Sequence, residues 1–173
     1  MIPFDSPDYC LRRIDLSAAG AVQTLCETCA DFFWLVEGQA AAPGVGPDIF
    51  KSLPPGRLCE DKFVCGLFNR QEDLQGVLEG VRHYPDEGTW WIGLLMLAPA
   101  ARRQGLGRKI VEGFFEFVRR AGGKAVQLGV VEDNRDGYRF WRRMGFEPLR
   151  VTGPRIFGAK LQVVHVLKHN LEP

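Results

Sequence analysis

The sequence predicts a mixed α+β fold, a mostly antiparallel central sheet of about six or seven strands flanked by about four helices, and three observations carry that reading. Runs of β-branched and aromatic residues recur between Lys62 and Leu97 with short polar links, and short links join antiparallel neighbours. After Pro99, two stretches keep a helical period and stop at glycine, with a strand between them. The 173 residues are 46% apolar, enough for one good core, so a single domain over 1–173 is expected.

The elements follow in order. A strand over Tyr9 to Ile14 leads to Asp15 or Ser17 as an N-cap and then to an amphipathic helix reaching about Leu35. Its apolar stripe is Ala18, Val22, Leu25, Cys26, Cys29, Phe32 and Phe33. The glycines and prolines from Gly38 to Pro47 predict a loop, and a short helical turn around Asp48 to Leu53 stops at Pro54-Pro55-Gly56. Strands are expected at Lys62 to Phe68, Leu74 to Tyr84 and Thr89 to Leu97. The next helix carries Leu106, Ile110, Phe114, Phe117, Val118 and Ala121 on one side and ends at Gly122-Gly123. Lys124 to Val131 reads as a strand, and Arg135 to Met144 as a short helix closed by Gly145. Two last strands, around Phe146 to Thr152 and Leu161 to Lys168, enclose a turn at Gly153-Pro154 and a loop ending at Lys160.

Charge and cysteine usage narrow the function. The 22 basic and 21 acidic residues nearly cancel, which leaves no general field for nucleic acid or an anionic membrane, so any anion site is local. The longest apolar run, Trp90 to Ala101, is interrupted by Gly93 and Pro99 and falls short of the ~20 residues that cross a bilayer. Met1-Ile2-Pro3-Phe4-Asp5 shows neither a basic nor an apolar leader region, and a cytoplasmic protein is expected. Five cysteines, an odd number, argue against a disulfide framework. Cys26 and Cys29 form a C-x-x-C that reads either as redox or zinc chemistry or as core, and their place on the apolar stripe favours core. No metal site is expected.

The richest stretch runs from Leu95, Met96 and Leu97 through Pro99 to Arg102, Arg103, Gln104, Gly105, Leu106, Gly107 and Arg108. A buried strand ends, a basic loop follows, and glycines open a helix whose first N–H groups lack intrahelical acceptors. That helix end carries about half a positive charge and suits an anion such as a pyrophosphate. Glycine at 105 and 107 lets phosphate oxygens come close to the backbone. The string lacks the Lys-Ser/Thr of a P-loop. It also lacks the third glycine and the distant acid of a dinucleotide fingerprint.

Arg102, Gly105 and Gly107 behind a strand ending at Pro99 resemble the acetyl-CoA motif R/Q-x-x-G-x-G/A of the GNAT superfamily of N-acetyltransferases. A second motif agrees: Asn134 follows the next strand, and a short helix with Tyr138 and Trp141 ends in Gly145-Phe146. The resemblance implies acetyl-CoA as cosubstrate and a splay between the two middle strands. It implies that backbone at Leu95, Met96 and Leu97 binds the pantetheine arm and acetyl carbonyl, and that N–H groups from Arg103 to Arg108 hold the pyrophosphate. Asn134 would contact the cofactor at the splay; it reads equally as the N-cap of its helix, and both can hold.

The implied reaction moves an acetyl group to a primary amine in a ternary complex, the acceptor being a small molecule or a peptide, with a homodimer possible. Where the family usually has a tyrosine as general acid, this chain has Trp141, whose indole N–H donates a hydrogen bond but cannot release its proton. Tyr138 reads either as a substitute acid or as a packed aromatic. Glu79, His83 and Glu87 are the candidates for the general base. His165 reads as structural, and Tyr84 with the Phe32-Phe33-Trp34 and Trp90-Trp91 clusters reads as core or as pocket wall. Two other classes compete: an acyl-CoA-binding module or sensor with little turnover, suggested by Trp141, and a nucleotide-dependent oxidoreductase, suggested by the incomplete glycine motif.

Overall fold

A computed structural model describes residues 1–171. Its seven-stranded sheet has the order β1-β2-β3-β4-β5-β7-β6, formed by β1 (Tyr9–Arg13), β2 (Lys62–Asn69), β3 (Leu74–Arg82), β4 (Thr89–Leu97), β5 (Ala125–Val131), β6 (Glu147–Phe157) and β7 (Lys160–Asn170). Five helices flank it: α1 (Ala19–Thr28), α2 (Ala30–Glu37), α3 (Val45–Lys51), α4 (Leu106–Arg120) and α5 (Arg135–Arg143). Every neighbouring pair is antiparallel except β4 and β5. That exception is forced by α4, which carries the chain across the sheet between them.

Each face of the sheet buries its own apolar cluster. On one, Leu106, Ile110, Phe114 and Val118 of α4 pack over Leu67, Leu78, Val126 and Leu128, together with Trp141 and Phe146. On the other, Val22, Leu25 and Cys26 of α1 and Phe33 of α2 cover Val64, Val77 and Met96. Each fully buried aliphatic or aromatic side chain contributes about 1.5–3 kcal/mol, so these layers hold the central strands rigid. The α4 helix ends as expected, with Arg119 and Arg120 in its last turn and Gly122 in the left-handed region at φ 77°.

The middle of the sheet is where it opens. The β4–β5 ladder pairs Thr89 with Ala125 through Ile92 with Leu128, and goes no further, although both strands continue. On its other side, β4 pairs Leu94 with Glu79 and Ile92 with Gly80, so Gly93 is an extra residue bulging from the ladder. A Cβ at Gly93 would stand 2.3 Å from Glu79 Oε2, so a side chain there would displace that carboxylate.

Two expectations are corrected. The first long helix is divided at Cys29, which ends α1 and starts α2 with ψ 38°. The bend lets Cys29 Sγ reach Leu97 O at 3.4 Å, a tertiary contact that helical periodicity cannot report. Gly153-Pro154 is not a turn, because β6 runs through it to Phe157 and the reversal occurs at Gly158-Ala159. Proline is tolerated there because β6 is an edge strand, and a register shift between Thr152 and Arg155 absorbs the pair. The longer hairpin reaches α2, where the Ala159 N–H donates to Glu37 O at 2.8 Å, Lys160 Nζ to Leu35 O at 2.9 Å and Gln162 Nε2 to Val36 O at 3.1 Å. Three orphan carbonyls of that helix end are thereby satisfied.

Candidate active site

The start of α4 is an uncapped helix end. Its first intrahelical bond runs from the Lys109 N–H to Gly105 O at 3.1 Å, and no side chain caps it. The N–H groups of Arg103, Gln104, Gly105, Leu106, Gly107 and Arg108 have no acceptor among the described residues. Arg103 and Gly105 both adopt the left-handed region, at φ 61° and 75°, which curves these donors around one concavity. Glycine at 105 is favoured by that conformation, while at 107 the missing Cβ leaves room beside Phe140, 3.4 Å away.

A cleft of about 850 Å³ between α4 and α5 opens onto these donors. Five arginines line it, Arg102, Arg103, Arg108, Arg119 and Arg143, against one carboxylate, Glu112. Two of the five are already engaged: Arg108 Nε pairs with Glu112 at 2.7 Å, and Arg102 is held by Asp31. Arg102 also donates from Nε to Leu97 O at 2.9 Å, so its guanidinium ties α2 to the end of β4 and is not free for a phosphate. Its hydrogen bonds hold the Asp31 carboxyl below the usual carboxylate range. Arg119 and Arg143 escaped sequence reasoning, although Arg108, Glu112, Phe115 and Arg119 form one helical stripe that could have shown the first of them.

Where β4 and β5 part, a second cleft of about 300 Å³ is lined by Gly93, Leu94, Leu95, Val130, Asn134 and Trp141, among others. The Ala98 N–H donates to Gln75 O beside β3, so by strand alternation the peptide groups of Leu95 and Leu97 face the opening. Leu97 O is taken by Arg102 and Cys29; Leu95 pairs with Leu78 of β3 and has no strand beside it on the side of the opening. Met96 points its peptide toward β3, buries its side chain in the core and lines neither cleft, so the structure does not bring it together with Leu95 and Leu97. Gln104 contributes only its N–H, because its side-chain amide donates to Ala100 O at 2.7 Å. Asn134 is the N-cap of α5, accepting from the Gly137 N–H at 2.9 Å, while it also lines the splay.

The third cavity, about 510 Å³, lies under α2 and α3 and meets the splay at Phe32, Val36, Trp91, Gly93 and Leu94, which line both. Glu79 is on its wall. Lys62 Nζ sits 2.6 Å from Glu79 Oε1 and donates to Ser52 O at 2.5 Å, with the two charged side chains only 7% and 12% exposed. Burial raises the Glu79 pKa, and Lys62 opposes the rise.

Two expected catalytic residues stand elsewhere. His83 turns its ring to the following turn, where Nδ1 is 3.0 Å from Glu87 Oε1 and 3.4 Å from the Gly88 N–H, and it does not line the cavity. Tyr138 packs edge-on against His165, ring centroids 5.5 Å apart, in a separate surface cleft with Glu132 and Arg135. Residues three apart on a helix differ by about 60° in direction, and that angle separates Tyr138 from Trp141, which alone of the two faces the splay. The C-x-x-C is core: burial pushes Cys26 up to about 12 and also raises Cys29, so neither thiol ionises near neutral pH. No group of metal-binding side chains occurs among the described residues.

Comparison with known proteins agrees with this arrangement. No curated protein matches the sequence. Among solved structures, an acetyltransferase from Thermus thermophilus is similar with a TM-score of 0.78 at 18% identity, over 95% of this chain and 97% of that one. A GCN5-related N-acetyltransferase from Kribbella flavida is similar at 0.70 and 19%, over 96% and 100% of the two chains. Nourseothricin acetyltransferase is similar at 0.69 and 18%, over 95% and 99%. At these identities the likeness is one of fold. The mostly antiparallel sheet removes the oxidoreductase reading, which required a doubly wound parallel one. The profile of the acetyltransferase (GNAT) family matches residues 29–146, more than half of the sequence, and the chain belongs to that family.

Proposed function

We propose that this protein is a cytoplasmic, single-domain enzyme that transfers the acetyl group of acetyl-CoA to a primary amine by direct attack in a ternary complex. The observation that carries the reading is the continuity of an uncapped, six-donor helix start, a strand opening and a carboxylate-bearing cavity along one strand, β4. The N–H groups from Arg103 to Arg108 hold the pyrophosphate, with Arg103, Arg119 and Arg143 adding charge. The peptide edge at Leu95 pairs with the pantetheine arm, and its N–H is the donor for the developing oxyanion. The thioester supplies an activated acetyl group. Five free cysteines suit a reducing compartment.

An alkylammonium with a pKa near ~10.4 must lose a proton, at a cost of roughly 4–5 kcal/mol at pH 7. Glu79 is the base that accepts it, since its raised pKa brings it closer to the amine than an ordinary carboxylate and its Oε2 is not held by Lys62. Trp141 walls the splay without giving up a proton. Thiolate leaves without a protein acid, as a thiol pKa near ~8.5 allows.

Isothermal calorimetry with CoA and acetyl-CoA, followed by thiol release with a panel of amines, tests the reading. Binding with turnover that falls about 100-fold in Glu79→Gln supports it. The second reading, a binding module with little turnover, is favoured by Trp141 in the usual tyrosine position; it predicts binding without thiol release for every amine.

A further inference from the structure

We infer that the acceptor is a small primary amine carried on an apolar, aromatic-sized body and bearing no carboxylate, with its ammonium received by Glu79 Oε2. The inference deepens the acetyl-transfer reading and rests on it. Four observations point to this chemistry.

The open cavity of about 510 Å³ falls in the size range of small-ligand sites, and its apolar walls come from Phe32, Phe33, Ile49, Tyr84, Trp91 and Leu94. Tyr84 and Trp91 meet edge to face at 5.6 Å, forming an aromatic corner suited to a flat apolar group. The charged groups facing this space are Glu37 and Asp48 from the helical side and Glu79 and Lys62 from the sheet. Lys62 is the single cation among the described lining residues, and both Glu79 Oε1 and Ser52 O already hold it.

Glu79 is nine-tenths buried, yet only Oε1 has a hydrogen-bond partner among the described residues. Oε2 is directed at the bulge of Gly93, where the acceptor cavity meets the splay. An ammonium placed there satisfies the free oxygen and stands beside the thioester position. Asp48 and Glu37 add attraction for a cation on its way in. A substrate carboxylate finds the opposite within this cavity, whose lining offers three carboxylates and no free cation; Arg155 lines the adjoining splay and is not part of the cavity wall. Amino acids and acidic amines are excluded by charge, and the bare alkyl or arylalkyl amines of the same shape are admitted.

The test compares matched acceptors on the full-length protein with acetyl-CoA, reading thiol release: 2-phenylethylamine against phenylalanine, then hexylamine, spermidine and a tetrapeptide with a free N-terminus. The expected result is a kcat/KM for 2-phenylethylamine at least about 100-fold above that for phenylalanine, with hexylamine also accepted. Asp48→Asn is expected to raise the KM for the amine about 3- to 10-fold while the calorimetric Kd for acetyl-CoA stays constant. Equal or better use of phenylalanine, or turnover confined to the peptide or the polyamine, overturns the acceptor class and leaves acetyl transfer standing. Acetyl-CoA binding with no thiol release from any acceptor, or no binding at all, overturns acetyl transfer and the acceptor class together.

Discussion

Replacing Lys62 by methionine removes one charge from the pair on the wall of the cavity under α2 and α3 while keeping most of the side-chain volume. At 2.6 Å, attraction between Lys62 and Glu79 is about 6 kcal/mol for an effective dielectric constant of about 20. Desolvation of each ion costs several kcal/mol in return, so the intact pair adds little net stability. Losing one partner is different, because Glu79 then remains buried with no counter-ion. Lys62→Met is expected to lower unfolding free energy by about 3–5 kcal/mol, and Lys62→Met combined with Glu79→Leu to recover most of that loss. Urea denaturation followed by tryptophan fluorescence measures both.

The pH dependence has a defined sign. Glu79 already titrates above its ordinary range through burial, and Lys62 holds it down, so the single variant raises it further. A carboxyl whose folded pKa exceeds its unfolded value is stabilising when protonated, and that stability is lost as pH rises through the folded pKa. The deficit of Lys62→Met relative to the parent should therefore be greatest at neutral pH and shrink as pH falls toward about 4.3, the free glutamate value. A deficit below about 1 kcal/mol at pH 7, or one that does not shrink on acidification, refutes the reasoning that a charged pair is buried there.

Gly93→Ala should force the Glu79 carboxylate off its seat, because the new Cβ falls 2.3 Å from Oε2. The expected outcome is about 1–3 kcal/mol of overpacking by urea denaturation and slowed thiol release, with the calorimetric affinity for acetyl-CoA retained. Tyr138→Phe should leave turnover and its pH profile unchanged, since the hydroxyl-bearing ring lies against His165 outside the splay. Asp31 is held below the usual carboxylate range by Arg102, so its contribution is present above the unfolded pKa and disappears as pH falls through the folded one. With its side chain 60% exposed, Asp31→Asn should cost less than about 1 kcal/mol at pH 7 by urea denaturation, and nothing once acid protonates the parent.

The loop that opens α4 was legible because its signals are local. Pro99, the arginine run and the glycines at 105 and 107 report a strand end, a turn and a helix start within a dozen residues, and the helix-start donors are a main-chain property. Side-chain roles in the same stretch were not legible. Arg102 looks like a phosphate ligand in sequence, but it meets Asp31, 71 positions away, and the carbonyl of Leu97. Tyr138 and Trp141 look like one helical face, yet β7 supplies a histidine for the first and the splay receives the second. The break at Cys29 and the passage of β6 through Gly153-Pro154 follow the same rule, because a distant strand end and an edge position override local propensity.

Sequence by itself determined the order and type of nearly every element, the burial of the C-x-x-C, and the place where a helix would open its amides to an anion, all of which depend on residues within a turn or two of one another. Only the tertiary structure decided which of Glu79 and His83 reaches a cavity, that Lys62 stands beneath Glu79, and that a Cβ at Gly93 would meet the Glu79 carboxylate. Those facts arise from strand register and bulge, set when β2, β3 and β4 pair, and a charge on a strand carries no mark of the neighbour it will meet.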